Sequence, residues 1–80
     1  MEIKRVVSFY EKEGDKLVHQ IEIESNLDVL YTIFTPFEDD PALYMSYPID
    51  IEKAQSLSVL YNLNLDSDHY DLYLECYAIE

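Results

Sequence analysis

Residues 37–50, FEDDPALYMSYPID, set three consecutive acids, Glu38, Asp39 and Asp40, beside Tyr44, Tyr47 and two prolines. A second acidic group follows in NLDSDHYDLYLE, residues 64–75, where Asp66, Asp68, Asp71 and Glu75 alternate with Tyr70 and Tyr73. Such carboxylates could serve acid–base catalysis, metal binding or recognition of a cation. Acid–base work needs one carboxyl in an apolar setting that raises its pKa, and no pair here is singled out in that way. Metal binding has a partial pattern: Asn64, Asp66, Asp68 and Glu75 fall at the first, third, fifth and twelfth places of a calcium loop. His69 stands where that loop needs glycine for its sharp turn, and the following residues alternate as a strand. The segment reads as an Asp-rich turn, with no metal expected. Nucleophilic catalysis would need Cys76 or a serine beside a base. Cys76 lies between Leu74 and Ala78 on an apolar strand face, the place of a buried structural cysteine. His19 falls on a leucine–isoleucine face and His69 in an acidic turn. One glycine cannot build a phosphate loop. Neither catalysis nor a cofactor is expected.

Recognition of a cation remains. A carboxylate offers arginine two oxygens, as a phosphate does. Charge draws a basic partner from a distance, and aromatic rings hold it once it arrives. The residues expected to contact such a partner are Glu38, Asp39, Asp40, Tyr44, Tyr47, Asp66, Asp68, Tyr70, Asp71, Tyr73 and Glu75. The chain as a whole agrees. It holds 17 acids against 5 bases, a net charge of −12. The first sixteen residues are neutral, whereas Lys53 is the only base after Lys16. That balance excludes direct attraction to nucleic acid or an anionic membrane, which requires a basic surface. It also exceeds what solubility demands.

The composition is nonetheless that of a folded chain, 49% hydrophobic and 14% aromatic with a single glycine. Eighty residues make one domain. The lone cysteine gives no disulfide framework, and MEIKRVVSFYEKEG lacks the apolar core of a signal peptide. No apolar run approaches the ~20 residues of a membrane span. A soluble protein of the cytoplasm is expected.

The elements that must position these side chains follow from periodicity. Ile3, Arg5, Val7 and Phe9 alternate with Lys4, Val6, Ser8 and Tyr10. Leu17, His19, Ile21 and Ile23 alternate with Val18, Gln20, Glu22 and Glu24. Period two predicts two strands, joined at a Gly14–Asp15 turn. Ser25 or Asn26 can cap a helix of about two turns, which Pro36 stops. Residues 37–48 read as a loop with a brief extended piece. Pro48 and Asp50 open a second helix over 51–63, with Ile51, Ala54, Leu57, Leu60 and Tyr61 as its apolar stripe. The last strand, from His69 on, sets Leu72, Leu74, Cys76 and Ala78 against Asp71, Tyr73, Glu75, Tyr77 and Ile79. The order β-β-α-α-β predicts an α+β two-layer sandwich, an antiparallel sheet of about three strands with two helices on one face. The last strand pairs with the first or the second. The other face, with Val6, Tyr10, Val18, Tyr73, Tyr77, Lys4, Gln20, Glu22 and Glu75, has no element left to cover it.

The size, the acidity, the KRVVSFYEKEGDKLV hairpin and the acid–proline–aromatic loop EDDPALYMSYP resemble those of small bacterial immunity proteins of bacteriocin and contact-dependent growth inhibition systems. The resemblance implies a one-to-one complex with a basic toxin domain, a nuclease acting on RNA or tRNA. It transfers no binding residue, since such families share no binding positions. Two other readings fit the same acids: a nucleic-acid mimic that occupies another protein's groove, and a small regulatory or structural module dimerising through the open tyrosine face.

Overall fold

Residues 2–24 and 26–79 are described by a computed structural model of the chain. Strand β1 (Glu2–Glu11) turns back into β2 (Leu17–Ile23). A four-residue helix α1 (Leu27–Leu30) leads through a long loop to β3 (Tyr47–Ile49), then α2 (Ile51–Tyr61) and β4 (Tyr70–Ile79). The strands form one antiparallel sheet in the order β2-β1-β4-β3. The fold is α+β, as expected, but with four strands rather than about three. The brief extended piece before Asp50 is the fourth, with Tyr47 opposite Leu74 and Ile49 opposite Leu72. The last strand pairs with the first, so β1 is central, Val7 lying between Ile21 and Leu74.

The hairpin turn is where the single glycine places it. Gly14 has φ +89° and Asp15 φ +53°, and Glu11 N–H donates to the Lys16 carbonyl at 2.9 Å. Positive φ costs glycine nothing and aspartate little, which is why these two residues mark the turn. A bulge at Phe9–Tyr10 then brings Leu17, not Val18, opposite Tyr10. The regular alternation read for the second strand therefore breaks at its start, and Leu17 and Val18 are both exposed.

The first helix is shorter than the two turns expected. Asn26 caps it, accepting from Val29 N–H at 3.4 Å; Ser25, the other candidate cap, lies outside the described residues. After Leu30 the chain tightens into shorter-range bonds, Thr32 N–H to Val29 O and Ile33 N–H to Leu30 O. Thr32 Oγ1 also donates to Val29 O at 2.6 Å. A hydroxyl competing for a helical carbonyl, next to a β-branched neighbour and ahead of Pro36, ends the helix early. The second helix starts where expected. The Asp50 side chain accepts from Lys53 N–H at 2.8 Å, and Asn62 ends the helix with φ +55°, its N–H reaching Ser58 O. Of its expected stripe, Ala54 and Leu57 are buried and Tyr61 is half-buried, whereas Ile51 and Leu60 face solvent.

The core lies on one side of the sheet. Val7, Phe9, Ile23, Leu72 and Leu74 meet Leu30 and Phe34 from the first helical segment and Ala54 and Leu57 from α2. Arg5 occupies the same face and is 1% exposed, the largest fully buried side chain. Its guanidinium donates to the carbonyls of Leu43 and of Ala42, the latter at 3.1 Å. Those carbonyls belong to the loop between α1 and β3, which passes over the strand and inserts Leu43, itself at φ +55°, into the core.

Arg5→Met should therefore lower stability by about 3 kcal/mol, because it leaves loop carbonyls without a donor. For a domain of this size that is a fall in Tm of roughly 12–24 °C. Lys4→Met, one residue away on the exposed face, should change stability by under about 0.5 kcal/mol. Thermal unfolding followed by circular dichroism compares the two, and equal effects would show that the loop does not depend on Arg5.

Candidate protein-binding surface

The acidic run is split by the fold. Glu38 and Asp39 are exposed, but Asp40 is 5% exposed and Tyr47 is 3% exposed. Asp40 is the hub of the loop. Its carboxylate accepts from Tyr44 N–H at 2.9 Å, Met45 N–H at 3.0 Å and the Tyr47 hydroxyl at 2.7 Å. Tyr47 in turn accepts from Phe37 N–H at 2.9 Å, and its ring stacks on Phe37 with centroids 4.3 Å apart. Burial opposes ionisation of Asp40, but the Tyr47 hydroxyl, the two backbone N–H groups and the nearby Arg5 charge hold its carboxyl below the ordinary range. Asp40 and Tyr47, expected as partner contacts, are thus taken up in shaping the loop. Tyr44 remains exposed at its outer side.

The second acidic group is also divided. Asp66 accepts from the N–H groups of Asp68 and His69, each at 3.1 Å, and meets His69 Nδ1 at 2.7 Å. It closes the turn that its spacing had suggested as a metal loop. Tyr70 faces the core side, its ring 5.8 Å from that of Phe9 in an edge-to-face contact. Asp68, Tyr70, Asp71 and Tyr73 come together around a cavity of about 450 Å³ beside the start of α2. Lys12 and Asp50, not expected from sequence, line it too. Lys12 bridges to Asp71 at 3.3 Å, a contact between residues far apart in the chain and so without a sequence signal.

Tyr73 and Glu75 stand on the face opposite the core, with Tyr10 and Tyr77. There Tyr10 and Tyr73 pack edge to face, with centroids 5.6 Å apart. Glu75 gathers the neighbouring hydroxyls: Tyr10 donates to it at 2.7 Å, Ser46 at 2.7 Å and Tyr77 at 3.4 Å. Gln20 links Ser8 and Tyr77, at 3.0 Å to each. Val6 and Ser8 are wholly buried on this face although they lie outside the core cluster. Both sit on the central strand, where long side chains of both flanking strands close over them. Glu75 stays ionised below the ordinary carboxylate range: burial opposes this, and hydrogen bonds from Ser8, Tyr10, Ser46 and Tyr77 outweigh it. The hydrogen bond to Glu75, then burial, then the Glu75 charge push the Tyr10 phenol up to about 12. Cys76 is half-buried on the other face, opposite Arg5, rather than fully enclosed.

Of the eleven expected contact residues, then, Glu38, Asp39 and Tyr44 stand on the loop, and Asp68, Asp71, Tyr73 and Glu75 lie on or beside the open face. Asp40, Tyr47, Asp66 and Tyr70 are engaged in structural contacts. Sequence reasoning missed the exposed Val59 and Leu60 of α2, which line a groove of about 480 Å³ with Ile33. No described helix is long and apolar enough to cross a membrane. The chain belongs to the family described as a domain of unknown function, DUF7683, which matches residues 4–75. No curated protein and no solved structure matches the chain.

The electrostatics give two expected outcomes. The folded pKa of Asp40 is depressed, so its contribution is complete above about pH 4 and is lost as pH falls through the folded value. Asp40→Asn should cost about 2 kcal/mol at neutral pH and make acid unfolding less steep. Asp39→Asn, at an exposed site, should do neither; denaturant titrations from pH 7 downward read both. The folded pKa of Tyr10 is raised, so its contribution is complete below about pH 10 and lost as pH rises through about 12. Tyr10→Phe should remove one tyrosinate absorbance step near the upper value. Loss of a step near 10 instead would mean that the bond to Glu75 is not formed.

Proposed function

We propose that the chain is a binding protein rather than an enzyme, and that it neutralises a basic toxin domain as an immunity protein of the cytoplasm does. The observation that carries the reading is the uncovered sheet face, where tyrosines surround an ionised carboxylate on a chain of net charge −12. Tyrosine supplies large contact area at small entropic cost, which is why it is enriched where proteins meet. Of the expected contact acids, Glu38, Asp39 and Asp68 stand outside structural networks, are exposed and extend the attraction beyond that face. A basic nuclease domain is the partner class that both features suit: its own cationic surface evolved for phosphate accepts carboxylates in the same geometry.

The test is inhibition. A basic protein recovered from the native host at low salt should carry a nuclease domain whose activity an equimolar amount of this chain abolishes. The complex should be nanomolar or tighter, with an association rate that falls steeply with salt. Reversing Glu38, Asp39 and Asp68 to lysine should slow association about tenfold or more, and Tyr73→Ala should mainly hasten dissociation. Association unchanged by the reversal would remove these acids from the surface. Displacement of the chain from its target by plain RNA or DNA would make it a nucleic-acid mimic instead.

A further inference from the structure

Within the open face is a notch of about 230 Å³ lined by Tyr10, Asp15, Ser46, Tyr73 and Glu75. Its floor is polar and ordered. Glu75 is oriented by the hydroxyls of Tyr10 and Ser46, one on each oxygen, at 2.7 Å. Tyr77 also donates to the Tyr10-bound oxygen at 3.4 Å, so of the carboxylate's about four acceptor sites the open one lies on the oxygen that Ser46 holds. No ion pair among the described residues includes Glu75. Lys4 pairs with Glu22 at 3.9 Å and Lys12 with Asp71 at 3.3 Å, not with Glu75. The walls are the edge-to-face tyrosine pair. Across the opening stands Asp15, exposed at the hairpin turn.

We infer that this notch receives an arginine side chain of the basic partner, its guanidinium on Glu75 and Asp15 and its stem against Tyr10 and Tyr73. The inference rests on the reading of the chain as a binder of a basic protein. The chemistry selects the ligand. Two carboxylates repel an anion, and tyrosine ring faces attract a cation. The volume is below that of pockets that enclose drug-sized molecules, and it suits one side chain. A planar guanidinium fork matches a carboxylate better than an ammonium does. The cavity beside the start of α2 differs, because Lys12 lines it and pairs with Asp71, and Lys53 pairs with its Asp50.

The probe is N-acetyl-arginine methylamide, with the citrulline analogue as its neutral isostere, titrated into the full chain and followed by NMR. Arginine should move the signals of Tyr10, Asp15, Ser46 and Tyr73 together, and citrulline should leave them in place. Glu75→Gln should weaken the arginine titration about tenfold. Asp15→Asn should weaken it severalfold, and asparagine accepts the positive φ of that position, so its effect is readable even if Glu75→Gln unfolds. Equal responses to the two probes, or shifts centred on Glu38 and Asp39, would overturn the assignment. With the toxin domain in hand, an affinity indifferent to Glu75→Gln would overturn the notch while leaving the inhibitor reading intact. A notch that takes arginine in a chain that inhibits no nuclease would sustain the notch and end the toxin reading.

Discussion

One buried arginine sets the terms for the rest of the molecule. A guanidinium inside an 80-residue domain is costly unless its donors are met. Arg5 meets them with carbonyls of the loop between α1 and β3, nearly forty residues away in sequence. The loop is then obliged to pass over the central strand. Asp40 completes the arrangement from the loop's side: it lies near enough to feel the Arg5 charge, and it satisfies the N–H groups that the turn leaves over. Its third donor, the Tyr47 hydroxyl, starts β3 at the edge of the sheet. Loop, charge and fourth strand are thus one cooperative unit, and it explains how a chain so acidic tolerates a buried charge at all.

The same unit shapes the candidate surface. By fixing Tyr47 against Leu74, it delivers Ser46 to Glu75 on the opposite face of the sheet. The face therefore has two layers of support: the alternation of β1 and β4, which aims the tyrosines outward, and the loop end, which helps to hold the carboxylate ionised. Pairing β4 with β1 brings Tyr10 and Tyr73 together, 63 positions apart in the chain. The edges of the sheet differ in character. β3 is three residues long and carries Pro48, a short edge of the kind that resists further pairing. β2 is longer and largely exposed.

Charge on this protein has two roles that sequence proximity alone would merge. Asp40, Asp66 and Asp50 act on backbone N–H groups, closing turns and capping a helix. Glu38, Asp39 and Asp68 project into solvent. The first group gains from ionisation because fixed donors point at it. The second adds exposed negative charge to the self-repulsion of the fold, which is the reason to look for a cationic partner.

What the amino-acid sequence determined by itself is whatever depends on neighbours in the chain. Period-two alternation assigned the two faces of β1 and β4, including the uncovered one with Tyr10, Tyr73 and Glu75. Gly14–Asp15 marked the hairpin, and Asp50 and Asn26 marked the helix starts, because turns and caps are local hydrogen-bond problems. Only the tertiary structure decided which acids are functional candidates and which are fittings. Asp39 and Asp40 are adjacent and chemically alike, and nothing local distinguishes them. Burial and three donors separate them, and those come from a loop docked by an arginine on a distant strand. The fourth strand showed in the sequence only as a brief extended piece, not as a member of the sheet, for the same reason: three residues containing a proline carry almost no strand signal, and Tyr47–Ile49 is extended because β4 offers it an edge.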